Sequence, residues 1–170
     1  MRDDTTINDR LQDGTPPKTL SGILQAKEAE SDGEEGSCRA FGYLRGIKDF
    51  SVAVEFRFKD GNSIWFPYSL LGPLKYNPSE GMLIKFSGDL VYLVLIKGSN
   101  LDKPLKDGSV TMMRAGFQRH RLTWVREMTE EEIRNAGEME PTIDSIEVAE
   151  FESHADLKEW LSKKAPAFLR

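Results

Sequence analysis

Residues 51–68 alternate apolar and polar side chains on both sides of Lys59-Asp60-Gly61, and that pattern leaves little choice but an antiparallel hairpin. Val52, Val54, Phe56 and Phe58 take one face of the first arm, and Ala53, Glu55 and Arg57 take the other. A three-residue loop with Gly61 in the left-handed conformation sets Phe58 opposite Asn62, Phe56 opposite Ile64, Val54 opposite Phe66 and Val52 opposite Tyr68. A two-residue turn shifts the register by one. It sets Phe56 against Trp65 and leaves Ile64 and Phe66 beside Arg57 and Glu55. The three-residue loop is therefore expected, with Trp65 on the polar face across from Glu55 and near Arg57.

Further strands follow from the same period. Phe41, Tyr43 and Ile47 alternate, with Gly42 and Gly46 permitting a bend or bulge. Met82–Ser87 and Leu90–Lys97 read as a hairpin about Gly88-Asp89; Leu90–Ile96 is apolar on both faces, which suits a central or helix-covered strand. Gly72-Pro73 and Asn77-Pro78-Ser79-Glu80-Gly81 read as turns, and Ser99–Lys106 as a short helical turn broken by Asp107-Gly108. Phe117–Glu127 reads as a strand. Thr129 and Glu132 form a capping box that opens a helix ending at Gly137. Ile143–Glu152 reads as a strand, and Ser153 caps a second helix with a stripe of Leu157, Trp160 and Leu161, stopped by Pro166. The expected fold class is mainly β (a β-rich α+β fold): a compact antiparallel sheet or small β-barrel of six or seven strands, two short C-terminal helices and a disordered N-terminal tail. SH3 and Sm barrels share that strand count, an analogy that carries no function.

Charge divides the chain into three parts. Residues 1–36 hold 4 Lys/Arg against 9 Asp/Glu, residues 37–128 hold 14 against 8, and residues 129–170 hold 5 against 11. The first part contains Thr15-Pro16-Pro17 and a run rich in Glu, Ser and Gly, too poor in large apolar groups to offset chain entropy. Only Leu20, Ile23 and Leu24 have the spacing of a short amphipathic turn. The expected organisation is an acidic tail over 1–36, a β-rich core domain over 37–128, and a helix-strand-helix extension over 129–170 packed on the core. No apolar run approaches the roughly 20 residues that span a bilayer, and the first residues contain no apolar stretch of a secretory signal. A cytoplasmic protein with no membrane contact is expected.

Chemical motifs are scarce. Phosphate-loop, dinucleotide, nucleophile-elbow and HExxH patterns are missing. Cys38 stands alone, so neither an internal disulfide nor a multi-cysteine zinc site is available. His120 and His154 have no ligand at metal spacing, and no cofactor is expected. Asn77-Pro78-Ser79-Glu80-Gly81 resembles the [DN]xSxxG element of PilZ cyclic-dinucleotide domains. Its glycine comes one residue early and no RxxxR stretch precedes it in the domain, so it reads as a turn.

The functional constellation is basic and aromatic. Arg114, Arg119, Arg121 and Arg126 surround Trp124, and the hairpin adds Arg57 and Trp65. On a strand over 117–127, Arg119, Arg121 and Thr123 share one face, and His120, Leu122 and Trp124 the other. Guanidinium groups bind phosphate or carboxylate in pairs of hydrogen bonds, and an exposed aromatic ring stacks on a base. The competing account puts Leu122 and Trp124 in the core and pairs the arginines with Glu130–Glu132. The sequence thus points to a non-catalytic binding module that recognises a protein or nucleic-acid partner through a basic β-domain surface. An enzyme with a dispersed carboxylate and arginine site, involving residues such as Glu55 or Asp89, is the first alternative. A subunit that joins a larger assembly by strand pairing is the second.

Overall fold

The computed structural model describes residues 35–108 and 110–170, and among them nine strands form two sheets. The first sheet contains β1 (Glu35–Ser37), β2 (Phe41–Leu44), β3 (Ala53–Arg57), β4 (Ser63–Pro67) and β8 (Leu122–Arg126), in the order β1-β2-β8-β3-β4. The second contains β5 (Leu71–Asn77), β6 (Gly81–Ser87), β7 (Val91–Ser99) and β9 (Thr142–Phe151), in the order β5-β6-β7-β9. Two helices lie in the C-terminal part, α1 (Glu130–Arg134) and α2 (His154–Lys164). The fold is mainly β, as the sequence implies. It is a pair of facing sheets and does not close into a barrel. The chain leaves β4 through a 3-10 turn at Tyr68–Leu70 instead of continuing the ladder, so β4 and β5 each end a sheet.

The hairpin has the register read from its alternation: Val54 pairs with Phe66, Glu55 with Trp65 and Phe56 with Ile64. Gly61 sits at φ 88°, its N–H bonds the Phe58 carbonyl, and Asp60 accepts the Asn62 N–H at 2.9 Å. Val54, Phe56 and Phe66 then point inward and meet Met82, Ile84, Phe86, Val94 and Ile96 of the second sheet in one buried cluster. β7 is central, as its two apolar faces require. One face joins that cluster, while Leu93 and Leu95 on the other pack with Leu83 and Phe151 under Leu161 of α2. Both helix caps are as read: Thr129 and Glu132 bond reciprocally, and Ser153 accepts the Asp156 N–H.

Several expectations are corrected. The tail assigned to 1–36 lies outside the described residues except for Glu35 and Gly36, which stand in β1. Gly72-Pro73 is not a turn. It is the irregular point of β5, between Leu71 paired with Phe86 and Leu74 paired with Ile84. An edge strand tolerates a proline and an extra residue there. The first sheet is not purely antiparallel, because β3 and β8 run parallel. β2 ends at Leu44, leaving Ile47 80% exposed, and Val52 projects beyond the sandwich at 79% exposed. Ser99 closes β7, a single hydrogen-bonded turn follows from Asn100 to Lys103 rather than a helix, and α1 ends at Arg134, before Gly137. The strand expected over 117–127 starts only at Leu122. Residues Met112–Phe117 form a π-helical turn, and His120 sits at φ 53°, which breaks any extension backward. In the 129–170 part, β9 pairs with β7 along its whole length and completes the second sheet.

At Gly61 an added Cβ would meet nothing within 4 Å, so the only cost of a side chain there is the left-handed backbone. Gly61→Ala is expected to destabilise by about 1 kcal/mol in urea unfolding. Unchanged stability would mean that the loop relaxes to another turn.

Candidate binding site

The outer face of the first sheet collects four of the seven basic and aromatic residues singled out above. Register places them: Glu55 pairs with Trp65 on one side and with Trp124 on the other, and Arg57 pairs with Arg126. Trp65 is 62% exposed. The Trp124 indole lies against Gly42, where any Cβ would collide with it, and this close approach is what a glycine in β2 provides. Arg57 covers the Trp124 ring from above, its guanidinium carbon 4.8 Å from the ring centroid.

The charges on this face are already matched. Arg57 donates through Nε and Nη2 to Glu55 Oε2, both at 2.7 Å. Burial by itself would raise the Glu55 carboxyl, but hydrogen bonds from Arg57 and Ser63 outweigh it and hold the group below its ordinary value. Arg126 makes a two-pronged contact with Glu132 of α1, Nη2 to Oε1 at 2.6 Å and Nη1 to Oε2 at 3.2 Å. The Arg126 hydrogen bond, followed by the Thr129 N–H, lowers the Glu132 carboxyl to about 2.

The remaining arginines lie elsewhere. Arg121 is buried, and its guanidinium donates to the Leu44 carbonyl at 2.7 Å and to the Arg45 carbonyl at 2.8 Å. It ties the end of β2 to the start of β8. Arg119 is exposed in the turn before β8, so Arg119, Arg121 and Thr123 do not form the common face expected of them. Arg114 is exposed on the π-helical turn, across a cleft from β5.

No family model, no curated protein and no solved structure matches the chain. Among the described residues, no group of three or more His, Cys, Asp and Glu is placed to hold a metal, and no helix is long and apolar enough to cross a membrane. Cys38 lines a cleft of about 300 Å³ with Arg45, Lys106 and Glu140; burial pushes its thiol upward, away from thiolate. Two features escaped the sequence reading. The connection from β2 to β3 presents Ile47, Phe50 and Val52 to solvent, and β4 has a free edge beside Trp65. Gly46 and the polar pair Lys48-Asp49 between Ile47 and Phe50 were the hints that this stretch loops outward.

Two outcomes follow from these placements. Arg121→Ala should destabilise by about 3 kcal/mol, since it strands two carbonyls that a charged donor now satisfies, while Arg119→Ala should stay within about 0.5 kcal/mol. Urea melts of the two single variants measure the contrast. The Glu132 carboxyl is depressed in the folded state, so its contribution is complete above its ordinary value of 4.5 and fades as pH falls toward 2. Glu132→Gln should thus be less stable than the parent at pH 7, and the gap should close between about pH 4.5 and pH 2. A gap that persists at pH 2 would show that the Arg126 contact is not its source.

Proposed function

We propose that the chain is a protein-binding module whose contact surface is the apolar ground between the β2–β3 connection and β4. The observation that carries this reading is where the exposed apolar groups fall. Of the six large hydrophobic residues with substantial exposure among the described residues, four, Ile47, Phe50, Val52 and Trp65, fall between residues 47 and 65. Exposed apolar side chains on a folded surface serve as anchors for partners where they lie together, and aromatic anchors supply much of the energy at interfaces.

The free edge of β4 adds main-chain hydrogen bonds to that surface. Phe58 N–H bonds the Asn62 carbonyl and Tyr68 N–H bonds the Val52 carbonyl, so pairs 56:64 and 54:66 exchange main-chain bonds between them. Ser63, Trp65 and Pro67 therefore turn their main-chain groups toward the open side, with Pro67 offering only a carbonyl. An extended partner segment can dock there by strand addition, with Trp65 beside it. This also accommodates the strand-paired assembly.

Nucleic acid is the weaker of the two expected partners. Trp65 remains available for stacking, but Arg57 and Arg126 are matched by carboxylates and Arg121 by carbonyls. Nothing in the geometry favours catalysis at Glu55, whose carboxylate is bound by its neighbour Arg57.

Phe50→Ser combined with Trp65→Ser should leave folding intact and abolish capture of the partners that the parent protein retains from its native cell, read by mass spectrometry. Partners retained undiminished by the double variant overturn the surface assigned here. In parallel, single-stranded RNA and DNA should fail to bind at concentrations on the order of tens of micromolar in low salt. Salt-sensitive binding lost in Trp65→Ser would move the conclusion to nucleic acid.

A further inference from the structure

A second site is built on a different part of the molecule and takes a different class of ligand. We propose that the cleft between β5 and the π-helical turn binds a small amphiphilic carboxylate, an acyl or aryl body ending in a single carboxylate, with Arg114 as the anion partner.

The cleft exists because two elements depart from regular geometry side by side. β5 slips by one residue against β6 at Gly72-Pro73, which bends this edge strand locally. Opposite it, the turn Met112–Phe117 is wound with i to i−5 hydrogen bonds: Gly116 N–H to the Thr111 carbonyl at 2.9 Å and Gln118 N–H to the Met113 carbonyl at 3.0 Å. Such widened turns recur at functional sites. The space between them is about 500 Å³, inside the range of roughly 300–1,000 Å³ typical of small-molecule pockets.

Its walls are apolar. Leu71, Leu74 and Tyr76 of β5 face Met113 and Phe117 of the turn. Phe117 is fully buried and stacks on Phe56 with ring centroids 6.3 Å apart, so this wall is rigid core, while Met113 is a side chain that adapts to an occupant. The Tyr76 hydroxyl is turned to Asp102 Oδ1 at 3.2 Å, leaving its ring to the cleft.

The polar groups at the rim are Arg114 and Gln118. Arg114 has its main-chain N–H fixed by Thr111 Oγ1 at 3.0 Å, which sets the direction in which the side chain leaves the turn. Its guanidinium has no ion pair among the described residues, in contrast with Arg57, Arg121 and Arg126, each held by the protein itself. An apolar slot with one unmatched planar cation at its mouth is complementary to an apolar body with one planar anion, since guanidinium and carboxylate pair through two parallel hydrogen bonds.

The test is a titration of the full chain with decanoate and with 1-decanol, each below its aggregation threshold, followed by two-dimensional amide NMR. Decanoate should shift the amides of Gly72, Arg114 and Gln118. Arg114→Gln should weaken decanoate about tenfold, the low end for one charge-assisted contact, and leave decanol within about twofold. Leu74→Trp fills the slot and should weaken both ligands, with circular dichroism melts confirming that it folds. Three results overturn the proposal: no shift at these amides up to the solubility limit, shifts confined to the β2–β3 connection and β4, or equal loss of decanoate and decanol in Arg114→Gln.

Discussion

Phe56 is the contact on which the rest of the molecule depends. Its ring lies 6.0 Å from Phe66, 6.2 Å from Phe86 and 6.3 Å from Phe117, while Phe66 and Phe86 stack at 4.4 Å. One side chain on β3 therefore joins the hairpin, the opposite sheet and the π-helical turn. Each ring is fully or almost fully buried, and aromatic burial of this size dominates core energetics. Both proposed sites inherit their shape from it. The inner face of the first sheet is used up in this cluster, so the alternating residues Glu55, Arg57 and Trp65 lie on the outer face, where Glu55 is covered and Trp65 exposed. Phe117 is drawn inward, which brings the π-helical turn over the edge of β5 and leaves the slot between them.

The hairpin was legible because two constraints agreed. Alternation fixed which residues share a face, and Gly61 fixed the loop length, so register followed without any knowledge of the other sheet. The capped helices were legible for the same reason: Thr129 with Glu132, and Ser153 with Asp156, are local interactions between near neighbours. β5 was hidden because Gly72-Pro73 carries the strongest turn signal in its region, and only its position at an edge makes the pair acceptable in a strand. The π-helical turn has no periodic signature in six residues. Its existence follows from the burial of Phe117 and from where β8 must start to run parallel to β3.

The candidate residues divide along the same line. Trp65 and Arg57 sit where alternation put them. Arg121 does not, because a guanidinium held by the Leu44 and Arg45 carbonyls depends on a long-range approach of β2 to β8 that no linear pattern announces. Ile47 and Val52 illustrate the converse limit. Alternation assigns a side chain to a face, but whether an opposing layer extends far enough to cover that face is a property of the finished sandwich.

The charge blocks take on a different meaning once partners are known. The basic 37–128 stretch suggested a surface for a protein or nucleic-acid partner. Within the described residues it meets the acidic 129–170 stretch instead as a folding partner. Arg126 binds Glu132, Arg39 approaches Glu140 at 3.8 Å, and the Lys59 ammonium donates to the Asp144 carbonyl at 2.7 Å. Glu127, a carboxylate of the basic stretch, accepts from the Lys59 N–H at 2.7 Å and from the Ile146 N–H at 2.8 Å, stitching the end of β3 to β9. A segment's net charge therefore overstates what it can offer a ligand, since Arg126, Arg39 and Lys59 are engaged in placing β9 and α1. Among the described residues Arg114 stands outside that pairing, and it lines the apolar slot.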